Sequence, residues 1–398
     1  MKLLYQASHF MKRFTFIFLA AAYSLSVSAS SLSGYVFHDK NNNRIKDKGE
    51  EGIKDVAVSD QFTVVQTNAE GFYQLDATGY GLVFISVPDK YKASTSCYVK
   101  ISDAVKGTWD FPLTKITIPS EFTFIHASDT HLSEASLHRT QRLKNLADSL
   151  QPEFVLVTGD LVKDALRVPE SEAAPLYEMY IREIKKFTMP VWSAAGNHEI
   201  FGIERQSSLV SKKNPLYGKK MFHHYLGPNY YSFNYGGIHF IALDNVDFED
   251  LWYYGHVDSV QIEWLKKDLA AVPSTVPVIT FAHMPMFSGG LSLSNFEEEG
   301  AGRSLERQKG KLHYRHVVSN AHELLAILQT HPYPLSLAGH FHSRQVFTFE
   351  STGQATRFEQ AAAVVGNGGD GSLEMPSGIT LYTVKDGKIS EGKFIRLD

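Results

Sequence analysis

Apolar and polar positions alternate with period two from residue 31 to residue 117, and turn-forming residues interrupt the alternation every few positions. A side chain on the same face at every second position is the geometry of a half-buried strand, so the pattern predicts strands over 33–37, 55–58, 62–67, 71–75, 82–87 and 108–113. The run Asn68, Ala69, Glu70, Gly71 reads as the turn closing a hairpin between two of them. The expected unit is a small all-β sandwich. After Pro119 the period changes: apolar runs alternate with helix-period segments at 137–150, 172–187, 258–272 and 317–329, the signature of α/β layers. The third of these helices opens with Asp258 and Gln261 in capping-box relation. Beyond His342 strand patterning returns at 345–350, 356–362, 378–384 and 388–395, and these read as a second sheet of the same domain. The Gly-rich run 366–371 lacks a strand-to-helix context and is a turn cluster rather than a dinucleotide fingerprint.

The first 29 residues carry a different pattern. Lys12 and Arg13 precede an apolar run from Phe14 to Leu25, and Val27, Ser28 and Ala29 form a small-residue cleavage site, which together predict a signal peptide and export to the periplasm or beyond. The expected organisation is therefore a leader over 1–29, a β-sandwich over 30–118 and an α/β domain over 119–398. No other stretch reaches the roughly 18 apolar residues that a membrane-spanning helix needs.

Charge and cysteine content narrow the chemistry. The 39 basic and 43 acidic residues leave a net charge of -4. Removal of the leader, with Lys2, Lys12, Arg13 and no acidic group, leaves 36 against 43, or -7. That balance disfavours a nucleic-acid partner, which would require a basic track. The single cysteine, Cys97, excludes an intramolecular disulfide framework and cysteine-rich metal sites. Any metal must be held by histidine, carboxylate and amide.

Such residues stand at five successive strand exits. The run 122–125 leads into Asp129 and His131, 154–157 into Asp160, 190–193 into Asn197, His198 and Glu199, 277–281 into His283, and 335–337 into His340 and His342. In an open α/β sheet the carboxyl ends of the strands share an edge where ligands bind, so these dispersed side chains converge. Imidazole nitrogen with carboxylate and amide oxygen suits Mn, Fe or Zn, and one carboxylate can bridge two such ions about 3.5–4 Å apart. A two-metal site generates hydroxide at neutral pH and neutralises charge on a departing oxygen, which is the chemistry of phosphate-ester hydrolysis.

The order Asp-x-His, Gly-Asp, Gly-Asn-His-Glu, a lone His and Gly-His-x-His across residues 129–342 resembles the signature of the calcineurin-like metallophosphoesterases. The resemblance implies two facing mixed β-sheets flanked by helices, with the metals at one edge. It implies one ion on Asp129, His131, Asp160 and His342, and a second on Asp160 as bridge, Asn197, His283 and His340. His198 would face the scissile phosphate and protonate the leaving oxygen. The helix containing Gln261 to Leu265 resembles the one that often precedes the lone-histidine strand. Purple acid phosphatases carry Tyr three residues after the bridging Asp; Lys163 stands there, which argues against that subclass. Glu199 is left between orienting His198 and forming a surface pair, and His223, His224, His239, His256, His313, His316, His322 and His331 fit no motif position.

Two long excursions, 200–229 and 284–315, follow metal-bearing strands and are expected to form the substrate rim, with Arg205, Arg303, Arg307 and Arg315 as candidate phosphate clamps. In the N-terminal region, Asp39, Asn41, Asn43, Ile45 through its carbonyl, Asp47 and Glu50 follow the spacing of a twelve-residue calcium loop. Arg44 occupies the glycine position of an EF-hand and the flanks are strands, so the loop is of another kind. With the flanking 34–37, 49–53 and 67–73 motifs, the stretch resembles calcium-binding B-type repeats of bacterial surface adhesins. The expectation is an exported dinuclear phosphoesterase acting on a small phosphorylated substrate, a nucleotide or lipid head group. A calcium-dependent adhesion module and a nuclease of the same superfamily are the alternatives.

Overall fold

The computed structural model describes residues 30–289, 305–351, 353–370 and 373–397, so the leader expected over 1–29 lies outside the described residues. Two six-stranded mixed sheets form the α/β core. The first runs in the order Val191–Ala194, Phe154–Thr158, Glu121–Ala127, Gly378–Lys385, Lys388–Ile389, with Lys393–Arg396 also on Gly378–Lys385. The second runs Tyr231–Tyr235, Ile238–Ala242, Val278–Phe281, Leu335–Ala338, Gln354–Gln360, Gln345–Ser351. The first is parallel from Val191–Ala194 through Phe154–Thr158 to Glu121–Ala127 and antiparallel beyond, whereas the second has a parallel centre and antiparallel flanks.

The sheets face one another through an aromatic layer. Phe154 meets Phe233 and Phe240 edge-on at 5.5 and 5.2 Å, and Phe124 meets Phe240 at 5.8 Å. Alternate positions of strands buried on both faces supply these rings, which is why the strands read as continuous apolar runs. The outer faces are covered by helices such as Leu137–Leu150, whose Thr140, Leu143 and Ala147 recur at helical spacing and are buried. The strands after His342 divide: Gln345–Ser351 and Gln354–Gln360 edge the second sheet, whereas Gly378–Lys385 and Lys393–Arg396 complete the first. The expectation of one C-terminal sheet is corrected by that crossover, which alternation alone does not encode.

The N-terminal region has two four-stranded sheets, Phe72–Ala77, Ser30–His38, Phe111–Lys115, Tyr91–Ala93 and Val64–Gln66, Ala57–Ser59, Leu82–Ile85, Tyr98–Lys100. The 68–71 turn is real, with Gly71 N–H donating to the Asn68 carbonyl at 3.0 Å, but its flanking strands belong to different sheets. It is an arch between layers rather than a hairpin. Asp258 caps Ser259–Ala270 by accepting from Gln261 N–H at 2.9 Å. The reciprocal half of the capping box is missing, because the Gln261 amide instead brackets the backbone of Asp244.

The two regions share a buried seam. Trp264 Nε1 donates to Ser59 Oγ at 3.1 Å, Gln61 Nε2 to the Tyr230 carbonyl at 3.0 Å, and Ser232 Oγ to Ser86 Oγ at 2.9 Å. One apolar cluster runs continuously from Leu32 and Phe111 to Trp264 and Phe240. In the 39–50 loop, Asp39 accepts from the N–H groups of Asn43 and Arg44, and Glu50 from those of Lys40 and Asp47. Among the described residues no helix is long and apolar enough to cross a membrane.

Candidate metal centre

All five strand exits open onto one edge of the paired sheets, and the backbone there is bent into an unusual conformation. Asp129, His131, Asp160, His340 and His342 all have positive φ, at 54, 37, 49, 77 and 53°. Left-handed backbone costs an L-residue about 1–3 kcal/mol and persists where surrounding structure enforces it, often at functional sites. Here the strand ends are stitched together: Asp129 N–H donates to the Gly159 carbonyl at 3.1 Å and His131 N–H to the Asp160 carbonyl at 2.9 Å. The motif glycines permit this crowding. A Cβ on Gly339 would lie 1.8 Å from Ser128 Oγ, and one on Gly196 would lie 2.3 Å from Asp160 Oδ1.

Two ligand-type clusters result. In the first, His342 Nε2 lies 3.3 Å from Asp129 Oδ1 and 3.1 Å from His131 Nε2, which is itself 3.6 Å from Asp160 Oδ2. In the second, His283 Nε2 lies 3.0 Å from Asn197 Oδ1, 3.1 Å from His340 Nδ1 and 3.3 Å from Asp160 Oδ2. Asp160 Oδ2 therefore belongs to both. Every residue that the sequence motifs nominate for a metal is brought to this edge.

The donor set fits two cations. Asp129 Oδ1 is buried with no hydrogen-bond partner, although a buried polar atom ordinarily has one. His283 donates Nδ1–H to the Thr158 carbonyl at 2.8 Å, because a carbonyl only accepts, and its Nε2 lone pair is thereby directed at the cluster. Burial pushes the Asp129 and Asp160 carboxyls upward, yet the facing histidines outweigh it and hold both well below the usual range. Burial lowers His283, and Asp160 more than reverses this, raising it to about 9. The pocket thus favours positive charge beside its carboxylates, and metal ions would replace those protons.

His198 stands beside both clusters. Its Nδ1 donates to the Lys163 carbonyl at 2.6 Å, its backbone N–H to Asp160 Oδ1 at 2.9 Å, and its Nε2 lies 3.8 Å from Asp160 Oδ2. The position that carries Tyr in purple acid phosphatases thus contributes a backbone carbonyl. Glu199 takes neither role suggested by the sequence. It is 1% exposed and accepts from Leu161 N–H at 2.7 Å, Val162 N–H at 3.0 Å and Gly196 N–H at 2.7 Å, tying the Asp160 loop to the Asn197 loop. Burial and the Asp160 charge push it up to about 8.

The clusters floor a cleft of about 580 Å³ lined by His131, Ser136, Lys163, His198, Tyr253 and His342. A larger one of about 770 Å³ lies at the opposite ends of these strands, among Tyr91, Glu153, Trp192 and Tyr235, far from the ligand edge. Of the candidate clamps, Arg205 is paired with Asp250 at 2.6 Å, and Arg307 bonds the Gly310 carbonyl of its own hairpin at 3.2 Å. Arg315 lies over the rings of Trp252 and Tyr253 at 4.7 and 5.0 Å, and of these three only Tyr253 lines the cleft. Arg303 lies outside the described residues. His316, which fits no motif, has its Nδ1 2.8 Å from His340 Nε2, and burial followed by Arg315 lowers its pKa to about 4. No spacing rule relates residues 24 apart on separate elements, so the sequence offered no signal for it.

Residues 122–344 match the calcineurin-like phosphoesterase family, and residues 39–115 match the N-terminal module found with calcineurin-like phosphoesterases. The chain belongs to the calcineurin-like phosphoesterase family. An uncharacterized protein of Schizosaccharomyces pombe is 26% identical over 170 residues, covering 34% of this chain and 39% of its own length, so the chain spans about two-fifths of that relative. Among solved structures, a dimetal phosphatase from Danio rerio is similar at TM-score 0.43 and 15% identity, covering 70% of this chain and 99% of its own. Purple acid phosphatase PPD1 from yellow lupin (Lupinus luteus) seeds is similar at TM-score 0.42 and 13% identity, covering 92% and 69%.

Proposed function

We propose that the protein is an exported hydrolase of phosphate mono- or diesters that works with two divalent transition-metal ions. One observation carries the reading: two nitrogen and oxygen clusters share Asp160 Oδ2, and the Nε2 of His198 stands 3.8 Å from that atom. Asp129, His131, Asp160 and His342 would hold one ion, and Asp160, Asn197, His283 and His340 the other. Bound there, the ions supply Lewis acidity toward phosphoryl oxygens and lower the pKa of water.

The chain's own residues do the rest. The Thr158 carbonyl fixes the tautomer of His283, and Glu199 holds the two ligand loops in register through three backbone donors. Lys163 fixes His198 with its proton on Nδ1, which leaves Nε2 to carry a second proton toward a leaving oxygen. Tyr253 and Ser136 wall a cleft large enough for a small phosphorylated molecule. A net charge of -7 without the leader favours such a substrate over a nucleic acid. Metal-free protein reconstituted with Mn, Zn, Fe or Mg and assayed on mono- and diesters tests the reading; hydrolysis only after reconstitution is expected, and inactivity with every ion on every ester would refute it.

The 39–50 loop supports a second, separate assignment, a calcium site in the N-terminal module. Asp39, Asn41, Asn43, Asp47 and Glu50 bring oxygen donors together in the spacing of a calcium loop, and Asp39 is buried.

A further inference from the structure

We infer that His316 is a positioning residue for His340 and thereby sets the affinity of the second metal ion. The inference rests on the two-metal reading and extends it to a residue outside the family motifs. His340 Nδ1 is the atom that meets His283 Nε2 at 3.1 Å in the second cluster. A histidine that ligates through Nδ1 carries its proton on Nε2, and that nitrogen needs an acceptor. The acceptor is His316 Nδ1 at 2.8 Å, with the two rings 24° from parallel and their centroids 5.1 Å apart. His316 then keeps its own proton on Nε2.

The His316 ring is itself held in place. It lies between the hairpin strand Lys311–Tyr314 and the helix Ala321–Leu328, on a segment pinned by backbone bonds just beyond the histidine. Val318 N–H donates to the Pro285 carbonyl at 3.0 Å, two residues beyond the ligand-type His283, and Ser319 N–H donates to the Gly255 carbonyl at 2.9 Å. Gly255 admits this approach because a Cβ there would lie 2.0 Å from the Val317 carbonyl oxygen. The Tyr253 ring stands edge-on to His316 at 6.1 Å. The segment just after the 305–314 hairpin therefore reaches back to orient a ligand, whereas no described residue of the 284–315 excursion lines the cleft. Partners of ligand histidines typically contribute about 10- to 100-fold in metal affinity.

The test is a calorimetric titration of chelator-stripped full-length protein with Mn or Co ions, which resolves two binding steps. His316→Ala should weaken one step by about 10- to 100-fold and leave the other unchanged. His316→Asn, whose amide oxygen overlays Nδ1, should restore that step to within a few-fold of the unmutated protein. Unchanged affinity in His316→Ala, or an equal loss in Ala and Asn variants, would overturn the assignment by reducing His316 to a packing residue. If circular dichroism shows that His316→Ala does not fold, His316→Gln replaces it: its oxygen overlays Nε2 and misses His340, so Gln weaker than Asn supports the role and Gln equal to Asn overturns it. A wild-type chain that binds no ions would overturn the two-metal reading and this assignment together, whereas two normal steps insensitive to position 316 would overturn this assignment alone.

Discussion

His198 Nδ1 lies 2.6 Å from the carbonyl oxygen of Lys163. Because a carbonyl cannot donate, this one bond decides which nitrogen of the imidazole faces the cleft. His283 is fixed in the same way by the Thr158 carbonyl, so what sets His198 apart is its place beside the clusters, with Nε2 3.8 Å from Asp160 Oδ2.

His198→Ala should accordingly keep both ions while kcat falls by roughly 10² to 10⁴ on alkyl phosphate esters. The loss should shrink on nitrophenyl esters, because nitrophenolate departs with little need of a proton. Metal analysis beside steady-state kinetics checks this; a variant that loses its ions would make His198 a ligand, and one with full activity on alkyl esters would make it a bystander.

Glu199→Ala leaves the backbone N–H groups of Leu161, Val162 and Gly196 buried without their acceptor. Each unsatisfied donor costs about 1–3 kcal/mol, so denaturant unfolding should show a loss of at least about 3 kcal/mol. Metal affinity should fall as well, since the Asp160 and Asn197 loops lose their tie. A variant as stable as the parent would show that water replaces the carboxylate without penalty.

Acid sensitivity should come partly from His223, which burial, with Lys219 adding to it, lowers to about 4, while its Nε2 is 2.7 Å from Asn229 Oδ1. In the unfolded chain it protonates near 6.5, so between about 6.5 and 4 the unfolded state binds more protons and stability falls as pH falls. The full effect is roughly 3 kcal/mol. His223→Gln keeps a donor toward Asn229 and should flatten this part of the profile, measured as denaturant midpoint against pH; a parallel profile would remove His223 as the cause.

Calcium should raise the melting temperature of the full-length protein by mass action if the 39–50 loop binds it. The intact chain is the right material because the N-terminal region shares a buried seam with the α/β core. Combined Asp39→Ala and Glu50→Ala should abolish the calcium increment; an unmutated protein indifferent to millimolar calcium would leave the loop as a self-bonded turn.

The parts of the site legible in the sequence are those where a strand end and a ligand residue are neighbours in the chain. Asp129, Asp160, Asn197, His283 and His340 each follow an apolar run directly, so strand order alone brings them together. Glu199, His316 and the Lys163 carbonyl act across the fold, through backbone atoms or a distant ring, and no local pattern reports such partners. The 68–71 turn reads as a hairpin for a related reason: a tight turn has the same residues whether the next strand pairs back or crosses to the other sheet. Helices were legible from periodicity, and Leu137–Leu150 has the bounds its spacing implies.

Among the described residues Asp160 is the one side chain whose carboxylate oxygen reaches both clusters, 3.6 Å from His131 Nε2 and 3.3 Å from His283 Nε2. The most direct measurement is therefore the metal content and phosphoesterase activity of Asp160→Asn beside the unmutated protein, reconstituted identically. The account predicts two ions per chain and ester hydrolysis in the parent, with both ions and activity lost together in the variant. A parent that holds two ions yet cleaves no phosphate ester, or a variant that keeps both ions and full activity, would contradict it.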